Sequence, residues 1–91
     1  MAVHVLIPDQ YRSSTDGQSE ANLAEGTVTQ ILARLCDKYP LLQQKLFDQT
    51  GVKRKTVNIY LNREDIRYAS GLDTRAADGD ELIILPPASG G

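Results

Sequence analysis

What this chain lacks narrows its chemistry before any motif is considered. It has one cysteine, one histidine, one phenylalanine and no tryptophan. A single thiol cannot close an internal disulfide, which suits a reducing compartment. One Cys and one His cannot furnish a usual zinc site, which takes three or four His, Cys or carboxylate ligands. With four tyrosines as the remaining aromatics, the core must be built from Leu, Ile and Val. No apolar run approaches a membrane span, and Met1 is not followed by a signal-peptide pattern, so a cytoplasmic protein is expected. Charge of one sign is not in excess either: ten bases meet twelve acids, a net charge of −2. That argues against a phosphate-binding surface as the main function, because nucleic-acid binders usually carry a basic stripe.

What is present is a patterned chain of 91 residues, long enough for one core without metal or disulfide staples. "AVHVLI" puts Val3, Val5 and Ile7 on one face, as in a strand with one buried side, and Pro8 closes it. "DQYRSSTDGQ" reads as a turn-rich loop with a turn at Asp16-Gly17, and "SEANLA" as a second strand returning on the first. Thr27 is a plausible N-cap for a helix whose Val28, Ile31, Leu32, Leu35 and Tyr39 fall at helical spacing. Pro40 ends it. "LLQQKLF" predicts a short helical turn of unplaced role, and "DQTGVKRK" a polar loop. "TVNIYLN" is a strand with Val57, Ile59 and Leu61 on one face and Asn58 and Tyr60 on the other. "REDIRY" predicts a short edge strand after a turn at Asn62, and "SGLDTRAADGD" an irregular stretch with Leu72 plugging the core. The last strand, "ELIIL", is apolar on both faces and so belongs at the sheet centre. The order predicts an α+β domain: a mixed sheet of four to five strands packed on one main helix over 1–85, with a tail over 86–91.

The body offers little reactive chemistry. His4 alternates away from Val3 and Val5 and reads as a surface residue without the partner a general base needs. Cys36 flanks the helix's apolar stripe and reads as a small core hydrophobe. "DGDE" lacks the ligand ladder of a calcium loop. Lys53-Arg54-Lys55 reads as a solvated loop. Phosphate loops, nucleophile elbows and dinucleotide fingerprints are missing, so no catalytic residue and no bound metal or cofactor is expected.

The tail is different. After "ELIIL" come Pro86 and Pro87, which cannot donate to a sheet ladder and favour an extended stem. Ala88 and Ser89 are small, and Gly90 and Gly91 have no Cβ, so such a backbone can thread a narrow channel. The group it would deliver is the α-carboxylate of Gly91. A carboxylate is a poor electrophile and needs activation, most simply by ATP to an acyl-adenylate, after which a sulfur donor can convert it to a thiocarboxylate. A disordered tail that happens to end in glycines is the plain alternative.

"NIYLN" and the terminal "DGDELIILPPASGG" resemble the ThiS/MoaD family of ubiquitin-like sulfur carriers. The resemblance implies a β-grasp fold over the whole chain and a carrier that is not itself an enzyme. It implies adenylation of Gly91 by an E1-like, ATP-consuming adenylyltransferase, then thiocarboxylation, with Pro86, Pro87, Ala88, Ser89 and Gly90 threading partner active sites. "PPASGG" is similar to the tail of the small subunit of molybdopterin synthase. The segment "VNIYLNREDIRYASGLDTRAADGDELIILP" is closer to the carrier of cysteine biosynthesis. That branch implies as partners a PLP-dependent cysteine synthase and a zinc metalloprotease that clips cysteine from the tail. A thiamine-pathway carrier and a ubiquitin-like protein modifier remain alternatives. Leu6, Tyr60, Ile83 and Leu85 should form an apolar patch on the open sheet face that docks the activating enzyme. The carrier is expected to be a monomer, with no nucleic acid or membrane as partner.

Overall fold

The alternation at the start of the chain becomes β1 (Ala2–Leu6), whose inward side chains Val3 and Val5 are fully buried. The architecture comes from a computed structural model that describes residues 2–86. β2 (Glu20–Ala24) returns antiparallel to β1, pairing Ala2 with Ala24 through to Leu6 with Glu20. The connecting segment is more than a loop. It winds a 3-10 turn over Asp9–Ser14 that buries Tyr11 and Ser14, and then turns back through Asp16 and Gly17, both at positive φ.

A two-residue strand, β3 (Gly26–Thr27), leads directly into α1 (Val28–Lys38). Thr27 caps the helix as its sequence suggests: its hydroxyl accepts from Gln30 N while the Gln30 amide oxygen accepts from Thr27 N. That reciprocal cap occupies the space beside Gly26, where a Cβ would stand 2.5 Å from the Gln30 side-chain oxygen. One helix face carries Val28, Ile31, Leu32 and Leu35, all with no exposed surface, each contributing about 1.5–3 kcal/mol by its burial. Tyr39 closes the helix just before Pro40.

The apolar segment after the helix finds its place here. Pro40–Leu42 forms a 3-10 turn and α2 (Gln43–Leu46) follows, with Leu42 and Leu46 buried at the edge of the core and Leu41 left exposed. β4 (Asn58–Leu61) buries Ile59, and Val57 just before it is buried too. A turn at Asn62 and Arg63, both at positive φ, then gives β5 (Glu64–Asp65). The expected edge strand over "REDIRY" is therefore only half present, because the chain coils into a 3-10 turn at Ile66–Tyr68. The cause is local: Asp65 Oδ1 accepts from the backbone N–H of Arg67 at 2.9 Å and bends the chain away from the sheet.

The stretch expected to be irregular contains a short strand, β6 (Arg75–Ala76), which pairs with β3 as a separate two-stranded ladder. Leu72 packs partly buried against the core. β7 (Glu81–Leu85) takes the centre of the main sheet, whose order is β2-β1-β7-β4-β5. It runs parallel to β1 and antiparallel to β4, with Leu82 and Ile84 buried against the helix side. A mixed five-stranded sheet folded around one main helix is the β-grasp arrangement. Among the described residues no helix is long and apolar enough to cross a membrane.

Candidate functional site

β7 runs straight into Pro86, which is half-buried. Pro87, Ala88, Ser89, Gly90 and Gly91, expected to thread partner sites and carry the reactive carboxylate, lie outside the described residues. The structure fixes the root from which they depart. Leu85 is paired with Asn58 of β4, so the tail leaves from the most enclosed strand of the sheet.

Beside that root lie the four residues expected to form an apolar patch. Leu6 is opposite Ile83 in the parallel ladder, and Ile83 is opposite Tyr60 in the antiparallel one. Cross-strand partners share a face, so these three form one row across the side of the sheet turned away from α1. Leu85 lies two residues along β7 on the same side. Leu6, Ile83 and Tyr60 are half-buried and Leu85 is 38% exposed. The row continues to a carboxylate at each end, since Glu20 pairs with Leu6 and Asp65 with Tyr60.

These carboxylates are both engaged. Glu20 Oε2 stands 3.2 Å from His4 Nε2, which gives the lone histidine, expected to have no partner, a carboxylate neighbour beside the patch. Asp65 is gripped by the Arg67 guanidinium, with Nη2 donating at 2.7 Å and Nε at 3.0 Å to Oδ2. Those bonds hold the Asp65 carboxyl below the usual carboxylate range.

The basic triplet is a solvated loop as expected, with Arg54 and Lys55 exposed, but two of its three side chains are tethered to the backbone. The Asp48 carboxylate accepts from Thr50 N, Thr50 Oγ1 and Val52 N, which tightens the preceding turn. Lys53 Nζ donates to the carbonyls of Arg54 and Val57, and Arg54 Nε donates to the carbonyl of Gln44. Partial burial, with Arg67 nearby, lowers the Lys53 pKa. This segment stands next to the tail root, an adjacency created by β4–β7 pairing and invisible in the linear order.

The lone thiol is not poised as a nucleophile. Cys36 is 6% exposed, and its burial, reinforced by the charge of Asp37, pushes the thiol up to about 11. At neutral pH it stays protonated and unreactive. Among the described residues, no group of three or more His, Cys, Asp or Glu could hold a metal ion.

The sequence matches the ThiS family over residues 5–91. The chain belongs to that family. It is 38% identical, over the whole of both chains, to the sulfur carrier protein CysO of Mycobacterium tuberculosis. Among solved structures it is similar to a chain of the Amycolatopsis orientalis BexX/CysO complex, at 32% identity and a TM-score of 0.88, covering 99% of this chain and 100% of that one. The small archaeal modifier protein 1 of Methanosarcina acetivorans superposes with a TM-score of 0.90 at 34% identity, covering 99% and 96% of the two chains. This is the family of ubiquitin-like sulfur carriers that the terminal motifs resemble.

Proposed function

We propose that this chain is a sulfur carrier whose working group is the carboxylate of Gly91. In the active site of an E1-like adenylyltransferase, one carboxylate oxygen attacks the α-phosphorus of ATP and pyrophosphate leaves. Hydrosulfide then attacks the acyl carbon, AMP departs with the bridging oxygen, and a thiocarboxylate remains. A thiocarboxylic acid is far more acidic than a thiol, so at neutral pH the sulfur is an anionic nucleophile. In the acceptor step it attacks an electrophilic carbon, for which an aminoacrylate held by a PLP-dependent cysteine synthase is the best candidate. The thioester so formed would pass its acyl group from sulfur to the cysteine nitrogen, and hydrolysis of that amide by a zinc metalloprotease would release cysteine and restore the Gly91 carboxylate.

The observation that carries this reading is the full-length likeness to a sulfur carrier protein. The fold supports it by running its central strand directly into the tail. The apolar row Leu6–Ile83–Tyr60, with Leu85 beside it, gives the adenylating enzyme a surface to grip while Gly90 and Gly91 enter its chamber. Incubation with that enzyme, ATP and a sulfide source, followed by intact mass spectrometry, tests the reading. A mass gain equal to sulfur replacing one oxygen, localised to Gly91, is expected. An unchanged mass would sink it.

The likeness to a small archaeal modifier protein favours a second reading, in which the activated Gly91 is passed to protein lysines. High-mass conjugates that survive a denaturing gel would distinguish it.

A further inference from the structure

The net charge of −2 conceals an uneven distribution. Pro86 lines a depression of about 330 Å³ together with Lys45 and Arg54. A smaller hollow of about 120 Å³ holds Lys53, Lys55 and Arg67. Val57 lines both, so the two adjoin at the start of β4, beside the end of β7. Together they contain five of the ten Lys and Arg residues of the chain, and one of its twelve Asp and Glu residues, Asp65. The rest of the molecule is left with five bases and eleven acids, so Pro86, the root of the tail, stands beside a locally positive region.

This region is held in place. Lys53 and Arg54 are fastened by carbonyls, which fix their positions, while Asp65 and Asp48 stand close enough to act on them electrostatically without forming an ion pair. Among the described residues, the one cation of the five that meets a carboxylate in an ion pair is Arg67. Neighbouring cations separated by less than the Debye length, about 8 Å in physiological salt, act on a partner as one source. Five residues follow Pro86, and however they are arranged they span at most roughly 18 Å. If Gly91 reacts inside a foreign active site, the cations at the root must stand at its mouth.

We propose that Lys45, Lys53, Arg54, Lys55 and Arg67 form a cationic collar that docks against an acidic rim around the entrance of the adenylating enzyme. The inference rests on the carrier reading and adds a second contact, separate from the apolar row. Its role is in encounter: complementary charge raises association rates by about 10- to 1,000-fold and orients the approach, tail first.

Lys45 and Lys55 are exposed and lie outside the core, which makes them the residues to test. The assay is ATP–pyrophosphate exchange by the E1-like adenylyltransferase of the same organism, with the full chain as substrate. Salt is varied from about 0.01 M to 1 M, over which the Debye length shrinks from about 30 to 3 Å. For the natural chain kcat/KM should fall steeply with salt. The K45E/K55E variant should lose at least tenfold in kcat/KM at low salt, keep its kcat and its melting temperature, and show a flat or inverted salt dependence. K45R/K55R should behave as the natural chain does. Natural kcat/KM in K45E/K55E, or a natural chain indifferent to salt, overturns the collar and leaves the carrier reading intact. A natural chain that is not adenylated under any salt condition overturns both.

Discussion

Ile83 is the residue on which docking and folding separate. Its side chain lies on the outer face between Leu6 and Tyr60, half-buried and clear of the core. An aspartate there keeps access to water, so Ile83→Asp should cost about 1 kcal/mol of stability, the scale of a poor strand residue on a central strand. That lowers the melting temperature by about 4–8 °C. Placed in the middle of an apolar contact, the same charge should cost about 2 kcal/mol or more of binding, roughly 30-fold in KM for the chain as substrate of adenylation. Adenylation at the natural KM would remove the patch from the docking surface. The alternation in "ELIIL" and "NIYLN" made the outward direction of Ile83 and Tyr60 legible, since it is a local property of a strand. Their grouping with Leu6 on one open face was expected as well, and what the sequence could not supply was the register that sets Leu6 and Tyr60 directly opposite Ile83. The collar was still less legible: Lys53-Arg54-Lys55 looks like an ordinary wet loop until β4 is laid beside β7.

Among the elements, the segment from Pro40 to Leu46 shows most clearly how tertiary packing overrides local tendency. A four-residue helix has no stability of its own, and α2 persists because Leu42 and Leu46 are both 1% exposed in the core. Leu46→Ala should therefore cost about 2–5 kcal/mol, a large share of the 5–15 kcal/mol typical of a domain. Equilibrium urea unfolding measures it, and a loss below about 1 kcal/mol would mean that this segment is only loosely attached. The helix α1 and the longer strands were readable because their periodicity spans several turns or pleats. β3 and β6 were not, since two residues carry no period and their pairing joins opposite ends of the α1–β5 region. The shortening of β5 turned on one carboxylate, Asp65, choosing its neighbour's backbone over the ladder.

At the scale of the whole molecule, the proposed function separates fold from chemistry, giving the first to the body and the second to the tail. Gly90 and Gly91 lie beyond the last strand, so deleting them should change stability by no more than about 0.5 kcal/mol while abolishing adenylation. Thermal melts and pyrophosphate exchange on the same sample check both halves, and adenylation that survives the deletion would assign the reactive group elsewhere. The central position of β7 has a mechanical consequence. A partner that draws the chain inward by its last residues pulls along a strand clamped on both sides, by β1 and by β4. Two ladders then bear the load in shear, their hydrogen bonds resisting together instead of peeling open one at a time, so a tug strong enough to seat the terminus does not unravel the globule behind it.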